Sequence, residues 1–154
     1  MTDVSDLEHV GNLMPAAQAR ETIMEMERAL QAVPAEFQQE FFNSHHFTPH
    51  IYIRTMVIPK GALFSSAIHK YEHPIALMTG RVTIFDAFGD KHERVAPWMG
   101  FTQPGTKRVV FGHEDSILVI YLPNLDNCRD IDELERRYTA ATFEEYDAFA
   151  KEPH

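Results

Sequence analysis

Between residues 51 and 121 the chain is a succession of short β-branched and aromatic runs, and this texture restricts its fold more than any other feature. Ile51-Tyr52-Ile53-Arg54-Thr55-Met56-Val57-Ile58 stops at Pro59-Lys60-Gly61. Further runs follow at 64–70, 75–78, 81–85, 92–96, 108–111 and 116–121. Thr79-Gly80, Phe88-Gly89-Asp90, Gln103-Pro104-Gly105 and Gly112-His113-Glu114-Asp115 separate them. Residues of the first kind fit a pleated, half-buried surface, and Gly, Pro and Asp supply the turns. Short strands at this spacing predict a sandwich or barrel rather than a parallel α/β sheet.

Helical patterns flank this region. From residue 16 through 32, Ile23, Met26 and Leu30 recur at helical spacing, continued by Val33, with Arg20, Glu21, Glu25 and Arg28 between them. Pro15 suits a first helical turn and Pro34 ends the run. Phe37, Phe41 and Phe42 predict a second short helix packed on the barrel. Beyond Pro123, Asp130 and Thr142 each precede a glutamate by three residues, the pattern of a helix N-cap. Two short helices are expected there, anchored by Leu134, Tyr138, Phe143, Tyr146 and Phe149. No linker or repeat divides the 154 residues, so one domain is expected: a helical arm over 1–46, a barrel over 47–124 and an acidic helical tail over 125–154.

The formal net charge of −9 argues against nonspecific duplex binding, which needs a basic stripe to displace counterions. No stretch has the apolar length of a membrane span. Residues 1–6 lack the basic and apolar regions of a secretory signal, so a reducing, cytosolic setting is the expectation. Cys128 is the single cysteine and has no internal disulfide partner.

Two segments carry a family resemblance. Residues 61–80, with His69, His73 and a closing Gly80, resemble the first cupin motif, and Gln103-Pro104-Gly105-Thr106-Lys107-Arg108 resembles the second. The resemblance implies a single jelly-roll barrel, mainly β, with ligands meeting at the barrel mouth. More narrowly, His45-His46-Phe47, Ile68-His69-Lys70, Gly80-Arg81-Val82 and the Pro104–Arg108 words are similar to small cupin-like proteins of bacteriophages and prophages. That likeness implies a phage origin, with a place in the host cytoplasm or the virion, and says little about activity.

The same resemblance shows a depleted metal site. His69 matches the second motif histidine, whereas His73 stands where glutamate is usual. Ala67 replaces the first histidine and Arg108 replaces the histidine of the second motif. On a straight strand His69 and His73 lie about 13 Å apart at roughly 3.3 Å per residue. Both must approach a shared ion to about 2 Å, so the chain has to bend near Tyr71-Glu72. A third ligand is still needed, and His46 and His113 are the sequence candidates for a site holding one divalent metal ion.

Arg108 has two readings. Facing the lumen, it needs a counter-charge or an anionic ligand, because an unpaired buried cation is costly. Facing out, it is an ordinary surface residue. With Lys107 it forms a pair suited to a carboxylate or phosphate, and Tyr71 is a further ligand-contact candidate able to move protons. Asp86, Asp90, Glu93 and Glu114 fall at strand edges or turns, where charges are usually solvated, and His92 is expected to be exposed.

Two functions follow as expectations. The first is a non-enzymatic binding or assembly module, homo-oligomeric, with other phage proteins or a small anion as partners. The second is a metal-dependent isomerase or oxygenase acting on a small polar or anionic substrate.

Overall fold

The chain folds as two facing five-stranded antiparallel sheets, seen in a computed structural model that describes residues 9–39 and 41–154. Residues 1–6 of the signal argument lie outside that range. The first sheet has the order β1 (His9–Asn12), β8 (Asp90–Val95), β7 (Arg81–Asp86), β10 (Arg108–Gly112), β4 (Leu63–Ser65). The second has the order β2 (Phe42–Thr48), β3 (His50–Ile58), β11 (Ser116–Asn124), β6 (His73–Thr79), β9 (Trp98–Thr102). The chain passes from one sheet to the other between β1 and β2, β3 and β4, β4 and β6, β6 and β7, β8 and β9, β9 and β10, and β10 and β11. This back-and-forth path is the jelly-roll barrel expected from the motifs.

Alternation along the strands builds the core. Tyr52 and Ile58 of β3, Leu118, Ile120 and Leu122 of β11, Val82 and Ile84 of β7, and Val110 of β10 are all buried between the sheets. The crossing from β6 to β7 depends on Gly80, whose φ is +86°. A Cβ there would lie 2.6 Å from the Asp115 carbonyl oxygen, so no other residue fits.

Three helices decorate the barrel. α1 (Ala16–Gln31) packs on the outer face of the first sheet, where Ile23 meets Ala87 and Val109. In α2 (Ile131–Tyr138), Leu134 and Tyr138 join the central core, so the helix closes one end of the lumen. The next residues form β12 (Thr139–Ala140), paired with β5 (Ile68–His69). α3 (Phe143–Ala150) is tied to α1 by Arg20, which donates to both Asp147 oxygens at 2.9–3.0 Å. Both expected N-caps form: Asp130 accepts from Glu133 N at 3.2 Å and Thr142 from Glu145 N at 3.1 Å. No helix among the described residues is long and apolar enough to cross a membrane.

Two expectations are corrected. The arm is not wholly helical, because β1 and β2 are strands of the two sheets and only a short 3-10 turn (Ala35–Phe37) stands where a second helix was expected. β2 escaped notice because Asn43 and His45, on its inward face, are polar, which blurs the alternation; His45 Nδ1 lies 2.6 Å from the buried Tyr52 hydroxyl. β9 was not among the expected runs, and Pro97 and Gly100 weaken its strand pattern. Gly100 instead makes room for the Trp98 ring, which a Cβ would approach to 2.5 Å.

Candidate functional site in the barrel lumen

The site begins at β5, whose backbone is held on both sides. His69 N donates to Thr106 O at 2.8 Å, His69 O accepts from Gly105 N at 2.8 Å, and Thr139 pairs in register. The chain then bends over residues 70–72, where Lys70 N donates to Tyr138 O at 2.9 Å. It re-enters the second sheet at His73. The bend brings the two imidazoles together, with ring centroids 4.8 Å apart. Both are buried. His73 Nδ1 lies 3.1 Å from the Tyr71 carbonyl oxygen, which makes it the donor and leaves Nε2 a lone-pair acceptor. That Nε2 is buried with no hydrogen-bond partner among the described residues.

Arg108 lies inside as well, only 8% exposed. It stands opposite Asp86 in the β10–β7 register, and its guanidinium reaches across the lumen to donate to Thr102 Oγ1. Among the described residues no carboxylate lies within 4 Å of it. Burial pushes its pKa down to about 10, with Asp86 opposing from a distance. Arg54 also projects inward from β3, but it is paired with Glu135 of α2 and donates to the Tyr52 hydroxyl at 3.2 Å. Burial lowers the Arg54 pKa, but Glu135 and Tyr52 outweigh it and the net direction is up.

Burial, helped by these cations, keeps the histidines neutral. His69 is held well below the usual imidazole range by burial first, then by Arg108, His73 and Arg54. His73 falls to about 4, again chiefly through burial; the Tyr71 carbonyl opposes that shift, and Arg108 and Arg54 add to it. A cavity of about 210 Å³ lies among Arg54, His69, Arg108 and Glu135 at one end and Met56, Phe64, Val110 and Leu118 at the other. A second cavity of about 250 Å³ lies beyond Arg108, beside Asp86, Asp90, His92 and Thr102.

The remaining candidates are placed elsewhere. Tyr71 sits on the outside of the bend, its ring edge-on to Tyr138 and Phe149 of the tail at 6.0 and 5.4 Å. Lys107 is one residue from Arg108 and therefore points to the opposite face. Its Nζ lies 2.7 Å from Glu27 Oε1 of α1 and donates to Ser66 O at 2.5 Å, which commits it to holding the helix. His46 is exposed on edge strand β2, with Nε2 3.2 Å from Ser44 Oγ. His113 lies past the end of β10, with Nε2 2.6 Å from Thr83 Oγ1. Neither joins His69 and His73.

A metal bound as in the family pattern does not fit these residues. The two imidazoles meet, yet among the described residues no third histidine, cysteine or carboxylate gathers with them. Arg108 adds a positive charge where a ligand would be needed. One other group has the required spacing: Asp86, Asp90 and His92 offer ligand atoms within 4.8 Å of one another. Its geometry is accounted for by the β7–β8 turn. Asp86 Oδ1 accepts from Phe88 N and Asp90 N at 2.9 and 3.1 Å, and Oδ2 lies 2.9 Å from His92 Nε2. Asp86 is thus buried rather than solvated, and His92 is half-buried against it, correcting both expectations.

Arg54, Asp86, Thr102 and Glu135 were overlooked as site residues. The signal for the first two was present: Arg54 shares the inward period of Tyr52, Met56 and Ile58, and Asp86 that of Val82 and Ile84.

No protein-family model matches the chain, and no curated protein matches it. Among solved structures it is similar to a conserved Klebsiella pneumoniae protein with a double-stranded β-helix domain: 16% identity, TM-score 0.49, 62% of this chain and 84% of that one. It is similar to the cupin domain of Schizosaccharomyces pombe Cnp3: 15% identity, TM-score 0.47, 70% and 72% covered. An acetylacetone dioxygenase from Acinetobacter johnsonii gives 18% identity, TM-score 0.47, and 58% and 64% coverage. At these scores the likenesses carry no argument about activity.

Proposed function

We propose that the chain is a non-enzymatic binding and assembly module whose lumen takes a small anion on Arg108. The observation that supports this reading is the buried guanidinium without a paired carboxylate. An Arg offers five N–H donors, and among the described residues one bond of this guanidinium is made, to Thr102. An anionic group entering the lumen would supply the missing counter-charge, with a neutral His69 beside it as a hydrogen-bond partner. α2 and the Arg54–Glu135 pair would exclude water from that end. The test is calorimetric titration of carboxylates and phosphate into the native chain and into Arg108→Gln. Binding that survives the substitution would overturn the reading.

The meeting of His69 and His73 favours one rival, the metal-dependent enzyme. Elemental analysis of protein purified without a histidine tag separates the two. One metal per chain, lost in both His69→Ala and His73→Ala, would establish the rival.

Assembly rests on the outer face of the second sheet. Its outward residues include Ile51, Ile53, Val57, Val119, Met99 and Phe101, and it carries no Asp, Glu, Lys or Arg. Five strands about 4.8 Å apart, five to nine residues long at about 3.3 Å each, give a face of roughly 600 Å². A stable interface uses about 800 Å² per partner. A second copy suits this face, since copies of net charge −9 repel elsewhere but not across a neutral patch. Light scattering should report a dimer that Met99→Glu with Ile53→Glu converts to monomer; a native monomer at every concentration would remove the proposal. The phage-like words support a phage origin, with other phage proteins as further partners.

A further inference from the structure

We infer that the ligand of the lumen is a short aliphatic monocarboxylate, bound head-first on Arg108 with its chain between the two sheets. This rests on the anion-binding reading above and adds what the cavity says about the rest of the ligand.

The cavity is divided along the strand direction. On β3, Arg54 is followed at the next inward position by Met56; on β10, Arg108 is followed by Val110. The registers place Ile120 opposite Arg54 and Leu118 opposite Met56, and Val110 opposite Phe64. The charged groups therefore share one level, and Met56, Phe64, Val110 and Leu118 share the next, about 6.6 Å further along. A ligand filling both levels has an anionic head and an apolar body. An inorganic anion would leave the apolar level empty, and a sugar would bury hydroxyls against it without partners.

The charges fix the head. Arg54 is already neutralised by Glu135, and the imidazoles are uncharged, so among the described residues lining the cavity one positive charge remains for the ligand. That suits a single carboxylate, which a guanidinium recognises through two parallel N–H···O bonds. The volume fixes the chain. About 210 Å³, at the roughly 30 Å³ a water occupies, holds about seven non-hydrogen atoms. A five-carbon carboxylate has that size.

The experiment is a titration of the full chain with acetate, propionate, butyrate, pentanoate, hexanoate, octanoate and inorganic phosphate. Affinity should rise about fourfold per methylene, the equivalent of about 0.8 kcal/mol for each buried CH₂, and fall again by octanoate. Pentanoate should then bind about 60-fold more tightly than acetate. Met56→Ser should lower the pentanoate-to-acetate ratio several-fold, and Arg108→Gln should abolish binding of both. A flat chain-length series, or phosphate binding more tightly than every carboxylate, overturns this inference and leaves the anion-binding reading standing. No binding by any of these anions removes both. The series on the native chain decides the matter even where a variant does not fold.

Discussion

Replacing Arg108 with methionine should stabilise the protein while destroying its ligand site. Burial lowers the guanidinium pKa from its ordinary value to about 10, which corresponds to about 3 kcal/mol set against the charged form. The folded value lies below the unfolded one, so the unfolded chain binds more protons above about pH 10. Stability therefore rises with pH across that window, and the full penalty is present at neutral pH. Methionine removes the charge, keeps most of the stem and adds apolar contact with Val110. Against this, the charge-assisted bond to Thr102 is lost, a net loss of roughly 1.5 kcal/mol. The balance is a gain of about 1 to 2 kcal/mol, or roughly 3–6 °C in melting temperature for a chain of this size. Urea and thermal unfolding at pH 7 without ligand measure it directly. Adding Thr102→Val removes the hydroxyl left unpaired and should not reverse the gain. A loss of 2 kcal/mol or more in Arg108→Met would refute the reasoning, because it would mean that the guanidinium is a satisfied structural group rather than a vacant cation.

Three further perturbations follow from the same structure. His73 titrates near 4 in the fold against 6.5 unfolded, so it favours folding above pH 6.5 and that contribution is lost as pH falls towards 4; urea midpoints should drop over this window by the equivalent of about 3 kcal/mol, less in His73→Asn. Glu27→Gln strands the buried Lys107 ammonium and should cost about 3 kcal/mol in chemical denaturation, most of it recovered in the double variant with Lys107→Met. Gly80→Ala forces a left-handed residue and a Cβ 2.6 Å from the Asp115 carbonyl oxygen, so it should cost at least about 2 kcal/mol, visible as a lower melting temperature.

Local chemistry alone was enough for much of the fold. The β-branched runs with Gly and Pro turns announce the strands, since propensity and turn geometry act within a few residues. The N-caps at Asp130 and Thr142 were legible for the same reason: a cap is a bond between residues three apart. Elements that depend on a distant partner were hidden. β1 is a strand because β8 offers it an edge, and β2 tolerates an inward His45 because Tyr52 receives it.

The inward periods of β3, β7 and β10 were written in the sequence, and with them the fact that Arg54, Asp86 and Arg108 could share an interior. Which of those charges remains unpaired was decided by tertiary structure. Glu135 reaches Arg54 only because α2 folds across the barrel end, and Asp86 is drawn away from Arg108 by its own turn and His92. The approach of His69 to His73 is likewise a product of the bend at 70–72, held by Tyr138 from far along the chain. Charge and period belong to the residues themselves, whereas compensation of a charge depends on distance, and only the packed chain sets distances.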